Sequence, residues 1–376
     1  MTSSPALSQA LRTLHINTER TWRGGEKQAL SLMNGLRELG HGVELICPPG
    51  APLAERAAAC GLTVHEIRMR GELNPVAVAR VAQVMRRGFD VCHMHTSHAH
   101  TFGVLARGLR RRPITVVSRR VDFSIYRRGT LGLNWIKYRW GVDRYVAISH
   151  AIREVLVRDG IASERISVVH SGVDAPAPAE RSVESLRREL GIPDAAPVVG
   201  NVAHLASHKG QIHLVSAMAE LHRQFPELHL VVVGEGEERA RLEARVAELQ
   251  LGGVVHLTGF QRDVSSFLDL FDVFCMPSVQ EGLCTSILDA FRWGLPTVAS
   301  NTGGIPELVR PRATGLLARP GDPADLAAKI GELLRDPALG RQLAERAQRL
   351  AVEEFSVEAM VRGNLAVYDK TLSETR

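Results

Sequence analysis

Two series of short β-rich runs, with stretches of helical periodicity between them, constrain the fold more than any other feature. The first series is TLHI (13–16), VELIC (43–47), TVHEI (63–67), VCHMH (91–95), ITVVS (114–118), RYVAIS (144–149) and ISVVH (166–170). Stretches 25–39, 75–87 and 150–159 carry apolar residues at helical spacing. Strands that alternate with helices pair in parallel through crossover helices, so the class is α/β. Segment 175–197 breaks the rhythm: it opens APAPAE, carries a polar helix and ends GIPDAAP, the composition of a domain boundary. The rhythm restarts with VVGNVA (198–203), LHLVVVG (228–234), VVHLTG (254–259), VFCMP (273–277), PTVAS (296–300) and GLLA (315–318). The expectation is two Rossmann-like domains facing across a cleft, 1–175 and 176–355. A closing helix at 356–376 packs back on the first. The 376 residues suit two domains at roughly 100–200 residues each.

Composition excludes several classes. Apolar residues make up 45% and charged residues 23%, ordinary for a globular chain. No apolar run reaches the roughly 18 residues of a membrane span, and the N-terminus lacks a basic segment followed by an apolar one. Five scattered cysteines (Cys47, Cys60, Cys92, Cys275, Cys284) form no CxxC pair, which points to a reducing cytoplasm without a disulfide framework or structural zinc. The net charge of +5 is uneven: Arg107, Arg110, Arg111, Arg112, Arg119, Arg120, Arg127 and Arg128 face only Asp122. Such a patch either solubilises or attracts anions.

The motif-rich stretch is Asp272–Val309. VFCMP reads as a buried strand and Leu283–Trp293 as a helix, so Ser278, Glu281 and Gly282 fall where free helix amides favour a diphosphate. Glu281 has two readings: a first-turn carboxylate complementing the helix dipole, or a grip on sugar hydroxyls beside the phosphate. Asp289, between apolar Leu288 and Ala290, is either a buried acceptor for a ribose or an exposed acid. Gly303 and Gly304 allow a phosphate-cradling nest, or a plain turn, before the helix opened by Pro306 and Glu307. Gly24 and Gly25 repeat the strand–glycine–helix device after TLHI. His204, His208 and Lys209 follow VVGNVA, where Lys209 is a phosphate point charge or a surface lysine. Gly234 and Gly236 form half of a GxGxxG whose third position is Arg239, which argues against a dinucleotide fingerprint. His93 and His95 share a strand face, with His98 and His100 in the following loop. With no Cys or acid nearby, polar residues at a cleft mouth outweigh a metal site. No GxSxG elbow occurs.

These residues reach a known family. PSVQEGLCTSILDAFRWGLPTVASNTGGIPELV and GLLARPGDPADLA closely resemble retaining glycosyltransferases of family 4 (glycosyl transferases group 1, GT-B fold). So do WRGGEKQALSL, VAISHAI, VVHSGVD, the HKG at 208–210 and VVVGEGEERARLE, from about Leu14 to Tyr368. The resemblance implies that Glu281 contacts the donor sugar, Asp289 the ribose and Lys209 the diphosphate. Asp289 stands where the family has Glu, and His204 where it has Arg. Gly24 and Gly25 lie near phosphate and acceptor. Ser118, Arg119 and Arg120 stand where a family histidine often sits, leaving His95 or His98 for that catalytic role. Gly234, Gly236, Phe260, Ser278, Gly282, Leu283, Cys284, Gly303, Gly304 and Glu307 complete the implied donor site.

The implied activity is metal-independent transfer from a UDP- or GDP-sugar to a hydroxyl of a glycan or lipid-linked acceptor. Lipopolysaccharide, polysaccharide and glycolipid synthesis are the implied settings. The arginine patch, with Trp135, Tyr138 and Trp140 nearby, suits an anionic acceptor or the inner membrane face, and nucleic acid is not expected. Two other classes stay open: a non-catalytic nucleotide-sugar-binding module, motivated by Asp289 and His204, and a GT-B nucleotide-sugar epimerase.

Overall fold

The computed structural model describes residues 10–71, 74–108, 110–124 and 137–375. The chain divides into two compact units, Met1–Gly172 with Val357–Arg376, and Val173–Ser356. The polar helix read at the boundary is Val183–Leu190 and lies inside the second unit. Just before it, the Arg181 amide donates to Ser266 Oγ at 2.9 Å.

The first unit is a seven-stranded parallel sheet of β1 (Arg12–Ile16), β2 (Gly42–Cys47), β3 (Thr63–Glu66), β4 (Val91–Met94), β5 (Ile114–Arg119), β6 (Arg144–Ala147) and β7 (Ile166–Val168). Its order is β3-β2-β1-β4-β5-β6-β7. Every residue of β4, β5 and β6 is buried, because crossover helices cover both faces of such a sheet. Short polar residues start those helices. Asn74 accepts from the amides of Val76 and Ala77, Thr96 from Ala99, and Ser149 from Ile152. The last helix, Val357–Glu374, packs against Gly24–Glu38 within this unit. Gly35 permits the approach, since a Cβ there would lie 2.5 Å from Val361 Cγ2. Tyr368 is fully buried, its hydroxyl 2.6 Å from His93 Nδ1, and Arg144 pairs with Glu374.

The second unit is a six-stranded parallel sheet of β8 (Val198–Val202), β9 (His229–Val233), β10 (Val255–Gly259), β11 (Val273–Met276), β12 (Thr297–Ser300) and β13 (Leu316–Ala318). Its order is β10-β9-β8-β11-β12-β13. Leu214, Met218 and Leu221 of the Gln211–Gln224 helix close its core with Leu230 and Val232 of β9 and Ile330 of Pro323–Arg335. Each such buried side chain contributes roughly 1.5–3 kcal/mol.

In each sheet the strand order reverses once, between β1 and β4 and between β8 and β11. The carboxyl ends of strands at such a switch point splay apart and leave a crevice for a ligand.

Candidate active site

The switch point of the second sheet gathers most of the implied donor residues. After β8 the chain makes a short 3₁₀ turn, Ser207–Lys209, and reaches Gly210 at φ 67° before the Gln211–Gln224 helix. A Cβ on Gly210 would lie 2.2 Å from the Pro277 carbonyl oxygen, so only glycine lets this turn meet the end of β11. The Val279 amide donates to the His208 carbonyl at 2.9 Å. This docking brings Lys209 Nζ 2.5 Å from Glu281 Oε2. Ser278 Oγ lies 3.4 Å from the same oxygen, and the Gly282 amide donates to Glu281 Oε1 at 3.2 Å.

The loop after β12 supports Glu281 from below. The Gly304 amide donates to the Glu281 carbonyl at 3.1 Å, and Thr302 Oγ1 donates to Val279 O at 3.1 Å. Gly303 has φ 52°, and a Cβ there would lie 1.8 Å from Glu281 O. The paired glycines therefore hold the Glu281 backbone, and the Gly304 amide is already engaged. Gly234 and Gly236 do similar work between the β8 and β9 loops. Cβ atoms on them would lie 1.9 Å from Ala203 O and 2.2 Å from Leu205 O.

Other expected residues fall differently. The helix expected from Leu283 starts at Thr285, preceded by Cys284 in the left-handed region at φ 75°. Leu283 and Cys284 are buried, and burial pushes the Cys284 thiol up to about 12. Asp289 and Glu307 are half-buried, which meets neither the buried nor the exposed reading of Asp289. His204 pairs with Glu237 at 3.2 Å on the surface. Phe260 is exposed.

In the first unit Gly24 and Gly25 open the Gly24–Glu38 helix beside β1. The histidine reading needs correction. His98 and His100 lie on the Ser97–Arg107 helix rather than in a loop, and His100 is buried while His98 is exposed. His93 and His95 are buried with His15 of the neighbouring strand, so they are not polar groups at a solvent-facing mouth. His15 Nδ1 lies 2.9 Å from His95 Nε2, and His15 Nε2 lies 3.2 Å from Thr13 Oγ1. His93 bonds Tyr368 OH and Ser118 Oγ, the latter at 2.8 Å. Only His95 Nδ1 of these ring nitrogens lacks a partner among the described residues. Burial holds all three rings neutral, taking His15 down to about 3 and the others well below the usual range. Neutral imidazoles with nitrogens within 4.8 Å could share an ion, though every one of the nitrogens but His95 Nδ1 already has a hydrogen-bond partner in one another, Thr13, Ser118 or Tyr368.

Known proteins match both units. The family Glycosyl transferases group 1 matches residues 182–350, and Glycosyltransferase Family 4 matches residues 22–175. Together the two matches span most of both units and support a group 1 glycosyltransferase. It is 34% identical over 249 residues to 2-deoxystreptamine glucosyltransferase of Streptomyces kanamyceticus, covering 63% of this chain and 64% of that protein. It is 24% identical over 355 residues to N-acetyl-alpha-D-glucosaminyl L-malate synthase of Bacillus anthracis, covering 91% and 92%. The solved structure of Anabaena Alr3699/HepE in complex with UDP-glucose superposes with a TM-score of 0.83 at 22% identity, covering 97% and 100%, and carries the same GT-B fold.

Among the described residues of this glycosyltransferase, the arginines of the cluster do not share one exposed face. Arg107 is buried, donating to Thr115 Oγ1 at 2.8 Å and pairing with Asp143 at 2.9 Å. Arg119 is buried, with Nη2 2.5 Å from Phe123 O. Arg112 lies 3.5 Å from Asp90, while Arg110 and Arg111 are exposed. Trp140 is exposed and Tyr138 buried. Arg127, Arg128 and Trp135 lie outside the described residues. No helix among the described residues is long and apolar enough to cross a membrane. Sequence reasoning missed His15, whose contacts run between strands, and the separate position of Arg120 within its arginine run.

Proposed function

We propose that this glycosyltransferase moves a sugar, with retention at the anomeric carbon, from a UDP- or GDP-sugar to a hydroxyl of a glycan or lipid-linked acceptor. The Lys209–Glu281 pair at the β8/β11 switch point carries the reading. A lone carboxylate there would repel a diphosphate, whereas this pair is neutral overall and leaves donors and acceptors side by side. Lys209 meets the diphosphate, Glu281 the donor-sugar hydroxyls, and Asp289 the ribose. The anomeric carbon's bond to the diphosphate oxygen breaks while a bond to the acceptor oxygen forms on the same face. The acceptor proton passes to the departing diphosphate, whose charge Lys209 and the local amides stabilise without a metal. We assign the hydroxyl-accepting role to His95, whose Nδ1 lacks a partner among the described residues and is shielded until the site opens. His98, exposed on its helix, is the weaker candidate for that role.

The relatives named above carry 2-deoxystreptamine and L-malate in their names, so acceptor choice varies on this fold. Cell-envelope glycans, assembled at the cytoplasmic membrane face, are the setting that we favour. A panel of UDP- and GDP-sugars tests the reading. A true donor raises the melting temperature, worth about 2.7 kcal/mol at a hundred times its Kd. It also releases nucleotide in a reaction that survives chelator. Failure of every nucleotide sugar both to stabilise the chain and to release nucleotide would sink the proposal.

A further inference from the structure

Arg120 follows β5 and lies over the start of the Gly24–Glu38 helix, its Cδ 3.6 Å from where a Cβ on Gly25 would stand. The side chain is half-buried, and its Nε is shielded with no hydrogen-bond partner among the described residues. Among the described residues one long contact holds the guanidinium, Nη1 to Ser171 Oγ at 3.5 Å. The acid that feels its charge, Glu26, is committed elsewhere, to Asn17 Nδ2 at 3.4 Å and the Arg23 amide at 3.1 Å. Desolvation draws the guanidinium down to about 10. A crowded guanidinium without a carboxylate is costly unless an anion completes it. Its planar fork of donors fits a carboxylate or a phosphate.

Two observations add to this. Gly25 puts no side chain between Arg120 and the first turn of a 15-residue helix, where backbone amides favour negative charge. His95 is 5% exposed with Nδ1 unpartnered among the described residues, and it lies close enough to Arg120 for that charge to disfavour its protonation.

We propose that Arg120 binds an acidic group, carboxylate or phosphate, carried by the acceptor, and so determines which acceptors the first unit takes. The proposal rests on the glycosyl-transfer reading. The donor's diphosphate is the other source of the same chemistry, and the experiment separates the two.

The full-length chain is compared with Arg120→Gln and Arg120→Lys. The first arm needs no activity: melting is followed with sodium malonate and with inorganic phosphate, at ionic strength fixed by sodium chloride. Without ligand, Arg120→Gln should melt at or above the parent, because a neutral group of similar size removes an uncompensated cation. Malonate should raise the melting temperature of the parent and of Arg120→Lys but not of Arg120→Gln. Equal stabilisation of all three, or of none, overturns the anion site. If Arg120→Gln fails to fold, the parent and Arg120→Lys decide: no malonate effect on either overturns it. The second arm measures transfer to acidic and neutral hydroxyl acceptors. Arg120→Gln should raise the KM for the acidic acceptor at least tenfold and leave the neutral one, with partial recovery in Arg120→Lys. A larger rise in donor KM than in acceptor KM assigns Arg120 to the diphosphate and overturns the acceptor assignment. If the parent uses no nucleotide sugar at all, glycosyl transfer fails while the malonate arm still judges the anion site.

Discussion

Lys209 Nζ sits 2.5 Å from Glu281 Oε2, so the cation that follows β8 neutralises the carboxylate that follows β11. The two residues are 72 positions apart and meet because β8 and β11 are neighbours at the switch point. Both side chains are largely shielded, at 18% and 12% exposure, so removing either leaves the other charge poorly compensated.

Lys209→Met and Glu281→Gln should each lower kcat/KM by about 100-fold, roughly 2.7 kcal/mol of transition-state stabilisation. Each should also cost about 1–3 kcal/mol of stability, less than a fully buried pair because water reaches both groups. In a double-mutant cycle the two losses should be non-additive by about 0.5–3 kcal/mol. Additive losses in chemical denaturation would show that the pair is not coupled.

Gly303→Ala should damage the site without touching a charged group. The new methyl would meet Glu281 O at 1.8 Å, and the backbone is in the left-handed region. We expect a loss of about 1–3 kcal/mol and a donor KM raised several-fold, as Glu281 is displaced. An unchanged KM in a destabilised but folded variant would separate the loop's support role from donor binding.

Asp289→Glu should lower the donor KM roughly three- to tenfold with little change in kcat. The longer side chain, on a half-buried helix position, reaches one methylene further towards the ribose. Initial-rate kinetics with a nucleotide sugar, and with its ribose-modified analogue, measure this. Equal behaviour towards both donors would remove Asp289 from the ribose site.

Acid should destabilise the first unit progressively below about pH 6.5. His15, His93, His95 and His100 are all held below the ordinary value near 6.5 by burial. The folded state therefore stays neutral while the unfolded chain takes up protons. Their stabilising contribution is full above about pH 7 and is lost as pH falls from about 6.5 towards about 3. The loss is roughly 1.4 kcal/mol per pH unit for each histidine. His100→Phe keeps an edge-on ring against Tyr138, now at 4.8 Å, and should flatten the stability–pH slope by about one histidine's share. Denaturation at pH 4.5, 5.5, 6.5 and 7.5 reads the slope directly.

The sequence alone determined the strands, the fold class and the resemblance to a family, while the Ser97–Arg107 helix reads there as a loop. Every expected β-run became a strand, with ends moved by a residue or two, because β-branched runs between helices have no other way to bury both faces. The motif order from about Leu14 to Tyr368 carried the resemblance to group 1 glycosyltransferases. Tertiary structure decided what those residues touch. The arginine run dissolved into separate roles: Arg107 and Arg119 serve the core, and Arg120 stands without a carboxylate partner among the described residues. The histidines at 93 and 95 acquired His15 from another strand and Tyr368 from the last helix. Gly303 and Gly304, read as a phosphate nest or a plain turn, brace the Glu281 backbone. Such contacts depend on strand order and on sub-ångström approach between distant segments, and neither is encoded in local spacing.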